Sequence, residues 1–283
     1  MEYPRVIRVD SRYRSRGTPT DFSVQLPRAV EFPPETTCYV SAVSLPHAFF
    51  NVDALLSDQL YVIESRAAGV RCRAVQLDAG NYTSVTLPTA LMEKLNTGKS
   101  FPTMAYAVDY MNARGCLRIQ LVAVSGQAPD STARFQLPSE DELLSPVWRS
   151  VNWVGTADPI DATNLDTMGD LLRLPGTSMP TTSLETGLLN VTPTDTLYIH
   201  SNLADFGCAV GPRGESDQIQ RIPVETTYGY ILHYISNGAD SEGFPVRGSY
   251  QELSFRLCNV RGRTVDLHGG FMSIELTFVP RNM

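Results

Sequence analysis

Residues 253–260 read LSFRLCNV. Leu253, Phe255 and Leu257 fall on one side of an extended chain, and Ser254, Arg256 and Cys258 on the other. That period of two belongs to a strand with one face in a core and one toward water. The same alternation recurs in FMSIELTFV (271–279), which sets Met272, Ile274, Leu276 and Phe278 against Ser273, Glu275 and Thr277. It recurs again in CLRIQLV (116–122), where Leu117, Ile119 and Leu121 oppose Arg118 and Gln120. Alternation of this kind marks half-buried antiparallel strands.

Working outward, similar patterns lie near 5–10, 21–26, 37–45, 59–65, 70–77, 103–111, 131–137, 195–201, 219–225 and 229–236. Many short strands separated by Gly, Pro, Asn and Asp predict an all-β sandwich or barrel. There are more of them than a plain eight-stranded jelly roll needs. One helix is expected at about 84–97, within NYTSVTLPTALMEKLNTG. Leu87, Leu91, Met92 and Leu95 have helical spacing there, Thr83, Ser84 or Thr86 can cap, Pro88 suits the first turn and Gly98 the end. A second short helix is expected at PSEDELLS, capped by Ser139 with acids in its first turn. Residues 146–194 differ: they are rich in Thr, Asp, Gly and Pro, alternate little, and hold both tryptophans, Trp148 and Trp153. Such a stretch reads as an inserted loop, either functional or packed on its own Trp and Leu residues.

The chain has 283 residues and a formal charge of −7. Its length can bury a core without staples, and 42% hydrophobic with 19% charged residues is a globular composition. An acidic balance argues against a sequence-independent nucleic-acid coat, which needs many cationic phosphate contacts. Only Lys94 and Lys99 are lysines; the other cations are arginines, which form planar bidentate pairs suited to interfaces. The five cysteines (38, 72, 116, 208 and 258) show no CxxC and no pairing pattern, so reduced thiols in a cytosolic or nuclear setting are expected. MEYPRVIRVD has no apolar core of a signal peptide, and no apolar run suffices for a membrane span. The sequons at Asn81 and Asn190 read as chance matches in that setting.

The search for chemistry yields little. His47, His200, His233 and His268 have no ligand-spaced partner, and there is no HExxH or Cys/His cluster. GPRGES (211–216) lacks the Lys-Ser/Thr of a phosphate loop, and GxSxG is absent. Asp158 and Asp161 in GTADPID form a single DxxD, for which solvated loop acids are the default reading. No catalytic residue, cofactor or metal is assigned, and the chain is not expected to be an enzyme.

The N-terminal arm (1–20) is the other unusual stretch. Residues 1–16 carry Arg5, Arg8, Arg12, Arg14 and Arg16 against Glu2 and Asp10, a local charge of +3. A nucleic-acid arm usually has longer basic blocks. Val6, Ile7 and Val9 are strand residues, and after Gly17 and Pro19 comes DFSVQLP, with Phe22, Val24 and Leu26 on one face. Strand, turn, strand is the reading. Arginines flanking an edge strand either protect it or select its partner.

The order of motifs carries a resemblance. VDSRYRSRGTPTDFSVQLP, VSLPHAFFNVD, DAGNYTSVTLPTALMEKLN, DTLYIHSNL, RIPVETTYGYILHY, ELSFRLCNVRGRTVDLHG and FMSIELTFVP follow one another along the chain. Together they resemble the penton, or minor capsid, proteins of Polinton-like viruses, adintoviruses and virophages. The resemblance covers most of 5–138 and 195–280 and leaves 146–194 out. It implies a single jelly-roll domain, read here over 1–283. Loops at one end of such a sandwich project outward, and the inserted stretch 146–194 is the natural candidate. It implies a homopentameric capsomer at the icosahedral vertices of a double-stranded DNA virus, among copies of a double-jelly-roll major capsid protein, and with a vertex spike or host receptor as a further partner. Location in the virion, after assembly in host cytoplasm or nucleus, follows. No sequence-specific nucleic acid is expected as a partner, and the chain has no RGD. Arg8, Arg12, Arg14, Arg16, Trp148 and Trp153 are the candidate partner contacts. The alternatives are a receptor- or glycan-binding β-sandwich module, with the tryptophans as exposed stacking platforms, or another single-jelly-roll capsid subunit.

Overall fold

A computed structural model of the chain describes residues 5–54, 57–149, 151, 153–155, 160, 165, 167–204, 214, 217–236 and 243–280. Along the chain come β1 (Val6–Asp10), a 3-10 turn (Ser11–Tyr13), β2 (Arg16–Gly17), β3 (Asp21–Pro46), β4 (Gln59–Arg66) and β5 (Gly69–Gln76). Then follow α1 (Thr86–Asn96), β6 (Met104–Met111), β7 (Cys116–Ala123), β8 (Arg134–Gln136), α2 (Glu140–Leu143), α3 (Pro146–Arg149), α4 (Gly169–Leu172) and β9 (Ser183–Glu185). The last part holds β10 (Thr196–Ser201), β11 (Gln218–Pro223), β12 (Ile231–Ile235), β13 (Phe244–Cys258) and β14 (Ser273–Pro280). The fold class is the expected one: all-β and antiparallel, a jelly-roll sandwich with few helices. Two compact units divide the chain, Met1–Phe49 with Thr194–Met283, and Phe50–Pro193. The strands beyond eight belong to the second unit.

The first unit is one eight-stranded sheet organised on β3. One edge of β3 pairs with β2 at Phe22–Ser23 and with β14 at 36–44; the other pairs with β13 at 21–38 and then with β12 at 42–46. The strands expected separately at 21–26 and 37–45 are therefore one. Pro27, Pro33 and Pro34 did not end it, because they fall where the β13 ladder slips, between Gln25 and Val30 and between Phe32 and Thr36. No backbone N–H is required of a proline at such a break. The alternating residues of the opening motif lie as their pattern demands: Leu253, Phe255 and Leu257 are buried, as are Met272, Ile274, Leu276 and Phe278. They share a core with Phe22, Val43, Leu197 and Ile222. Phe22 meets Phe255 with ring centroids 5.7 Å apart, and Phe32 stacks on Phe278 at 4.4 Å.

The second unit has two three-stranded sheets, β5-β4-β8 and β6-β7-β9. Helix α1 lays Leu87, Leu91 and Leu95 into their shared core. Its start is held from one turn outside, where Thr83 Oγ1 accepts from the amides of Val85 and Thr86. Helix α2 has the expected Ser139 cap, completed by Glu142 as a capping box. α1 and α2 are the two helices expected from the sequence; α3 and α4 are additions.

The described parts of 146–194 are not a free-standing loop. β9 pairs with β7 as a third strand, and Met168, Leu171 and Leu172 enter the α1 core. Trp153, Ile160 and Leu165 pack with Tyr61, Ile63 and Leu143. Few of these residues alternate, so strand periodicity could not reveal them. The described cysteines, Cys38, Cys72, Cys116 and Cys258, are free thiols; Cys208 lies outside the described residues.

Candidate assembly surface

The arginine-rich arm is built as strand, turn, strand. Asp10 caps the 3-10 turn by accepting from the Arg12 amide at 2.9 Å. Gly17 makes the turn into β3 at φ +90, where a Cβ would sit 2.2 Å from the Asp21 carbonyl oxygen, so only glycine fits without displacement. Ser11 fastens the arm to the sheet: its amide donates to Met272 O, and its hydroxyl accepts from the Met272 amide, both at 2.9 Å.

The four candidate arginines gather along this edge of the first unit, and each has a partner within its own chain. Arg8 meets Glu275 at 2.7 Å, Arg12 meets Asp10 at 2.6 Å, and Arg16 meets Glu252 at 2.5 Å. Arg14 donates to the carbonyls of Gly17 and Ser11. The Arg12 guanidinium holds the Asp10 carboxyl below its ordinary range by hydrogen bonding, against a smaller opposing effect of burial. Arg8, Arg12 and Arg16 remain well exposed. Their first task is thus to fix the arm; their outer faces stay open to solvent.

The tryptophans stand differently. Trp153 is 2% exposed, packs edge-on against Tyr61 at 5.0 Å, and donates from its ring nitrogen to Trp148 O. Trp148 is half-buried beside it. The reading of both as exposed stacking platforms is corrected for Trp153, which fills the space between α2 and β4. A tryptophan flanked by valines serves equally as core or platform, and spacing could not separate the two.

Beside the arm, four strands run in the order β12-β3-β14-β1. Arg8, Glu275, Ala42 and Ile235 face each other across them in one row, and Asp10, Ser273, Ser44 and His233 in the next. A cavity of about 520 Å³ opens along this run, lined by both rows and by Tyr13 and Tyr234. Its chemistry is mixed, with Arg8–Glu275 neutralised at one end and apolar Ile235 at the other. Sequence reasoning missed this surface. The available signal was the uncharged run YGYILHYI, whose Tyr230, Ile231 and Ile235 are exposed.

Two of the histidines are held by hydrogen bonds within the chain. His200 Nδ1 lies 2.8 Å from Asp217 Oδ1, and His47 Nδ1 lies 2.7 Å from Thr226 O. No group of three His, Cys, Asp or Glu side chains able to hold a metal occurs among the described residues. Asp158 and Asp161 lie outside the described residues, as does most of 211–216. No described helix is long and apolar enough to cross a membrane.

No protein-family model matches the chain, and no curated protein does. Among solved structures, the chain is similar to the crystal structure of selenomethionine-labelled mavirus penton protein, at a TM-score of 0.48 and 9% identity, over 98% of this chain and 99% of that one.

Proposed function

We propose that this chain is a structural viral capsid protein that assembles as a homopentameric capsomer at icosahedral vertices, set among a double-jelly-roll major capsid protein. The observation that carries this reading is where the family-like motifs fall. VDSRYRSRGTPTDFSVQLP supplies the end of β1, β2 and the start of β3, DTLYIHSNL supplies β10, and RIPVETTYGYILHY supplies half of β11 and most of β12. ELSFRLCNV and FMSIELTFVP supply the end of β13 and all of β14. Five of the seven motifs therefore fall on strands of the first unit, VSLPHAFFNVD carries the end of β3, and DAGNYTSVTLPTALMEKLN supplies α1 of the second unit. A framework with exposed arginines along one edge and exposed isoleucines along another suits repeated subunit contact better than catalysis. Free thiols fit assembly in host cytoplasm or nucleus before residence in the virion.

Electron microscopy of the purified chain, scored for five-fold rings, tests the reading, with native mass spectrometry for stoichiometry. Rings of five, alone or on addition of the major capsid protein, are expected. Monomer under both conditions would overturn the capsomer.

A further inference from the structure

The four-stranded run β12-β3-β14-β1 ends in two open edges. Among the described residues, no strand pairs with the outer side of β12 or of β1. Each edge strand is five residues long, Ile231–Ile235 and Val6–Asp10. Unpaired edges attract other strands, and folded proteins blunt them with charge, proline or bulges. β12 has none of these. It reads ILHYI, with Ile231 56% and Ile235 71% exposed. An uncharged, apolar edge of this kind is a liability unless a strand covers it.

Three observations identify the occupant. The first is direction. β1 is antiparallel to β14, β14 to β3, and β3 to β12, so β1 and β12 run opposite ways. A second copy rotated into place without reversing its strands sets its β1 beside β12 with antiparallel polarity, continuing the alternation. The second is facing. The row Arg8–Glu275–Ala42–Ile235 places Val6 and Arg8 on the same face as Ile231 and Ile235. Joining the edges would bring Val6, 40% exposed, onto the isoleucine side. The third is charge. Residues 5–16 hold five arginines and one aspartate, whereas 222–236 hold no Arg or Lys and one acid, Glu225.

We infer that β12 of one copy takes up β1 of the next copy as an added strand. This contact joins two different patches, so it is heterologous, and where the rotation between copies closes it repeats around a ring. The inference deepens the capsomer reading and rests on it. It gives the arm a second role: arginines that hold β1 on its own sheet also present it to a neighbour.

The test uses the full chain and two exposed positions. Ile235→Asp blocks the β12 edge and Val6→Asp blocks the β1 edge; circular dichroism checks that both fold. By native mass spectrometry over a dilution series, each variant alone is expected to be monomeric, with its dissociation midpoint moved at least tenfold. A one-to-one mixture is expected to form a dimer containing one copy of each, because one intact junction survives between them. Rings persisting in either variant at wild-type concentrations would overturn edge pairing and leave the capsomer standing. So would two folded, monomeric variants that give no mixed dimer. A wild-type chain that stays monomeric alone and with the major capsid protein would overturn the capsomer, and edge pairing with it.

Discussion

Along β3, β13 and β14 of the first unit, the side chains that disappear from solvent are apolar, or small and hydroxylic. Among the described residues that unit buries no Asp, Glu, Lys or Arg. In the second unit, Glu64 is 0% exposed, and the Arg73 side chain beside it is nearly so. Arg73 donates twice to Glu64 Oε1, at 3.0 and 2.9 Å, and then to the carbonyls of Leu95 and Thr97 at the end of α1. Glu64 also accepts from the Tyr106 hydroxyl at 2.9 Å and the Ser100 amide at 2.7 Å. The first unit is therefore specified by shape and area, which are non-directional. The second adds a polar clasp whose geometry fixes where α1 ends against β4, β5 and β6. Desolvating two charges is costly, and the clasp is tolerable because nearly every donor and acceptor in it is met.

That contrast breaks most sharply at Arg73. Arg73→Met should destabilise the second unit by about 4–5 kcal/mol, since it strands a buried carboxylate and two helix-end carbonyls. Hydrogen exchange resolved to β4–β7 is the measurement, and the amides of β13 and β14 serve as the internal reference. Replacing both partners, Glu64→Gln with Arg73→Met, should cost less than the sum of the single changes, because neither leaves a lone charge. If the double change is as costly as the sum, the clasp is not a coupled unit.

The matching probe of the first unit is Phe255→Ala. Phe255 is buried against Phe22, and truncating a core aromatic costs about 3–4 kcal/mol through lost transfer energy and a cavity. Denaturant midpoints of the purified variant measure it. A loss below about 1 kcal/mol would mean that the site collapses around the gap.

The same contrast explains what was legible in the sequence. Leu253, Phe255, Leu257 and the alternating residues of β14 and β7 announced their faces, because period-two burial is a local property. Helix α1 was legible from Leu87, Leu91 and Leu95 and from its flanking Thr and Gly. The clasp was not, because Glu64, Arg73 and Tyr106 meet only once three strands and a helix are in place. The long β3 was obscured by its prolines, which read as breaks until ladder slips are known. Trp153, Ile160, Leu165, Met168, Leu171 and Leu172 pack without periodicity, so their burial had no local signature. The arginines were legible as a cluster, but their pairing with Glu275 and Glu252, far along the chain, was not. The open edge of β12 needed the sheet order, which no single strand contains.

A smaller effect is expected at the arm. Arg12, Arg14 and Arg16 changed together to Ala should leave the monomer's melting temperature little changed, because exposed ion pairs contribute little and are screened by salt. Assembly should weaken more than folding does, since the same residues flank the β1 edge. Thermal melts of the monomer set beside ring dissociation by native mass spectrometry separate the two effects. Equal losses in both would assign these arginines to the fold alone.

The smallest effect tests how Asp10 holds the turn. Its carboxyl titrates below the ordinary carboxylate range, chiefly through its hydrogen bonds from the Arg12 side chain. A group whose folded pKa is depressed contributes stability above its unfolded value, and that contribution is lost as pH falls through the folded value. The turn at Ser11–Tyr13 should therefore loosen only in acid, below the range where ordinary carboxylates titrate. Asp10→Asn should abolish this acid dependence while keeping much of the cap, because Asn also accepts from the backbone at a helix start. Amide chemical shifts of Ser11 and Arg12 followed through an acid titration, in wild type and variant, give the comparison. An identical acid transition in both would show that Asp10 does not carry the acid dependence of the turn.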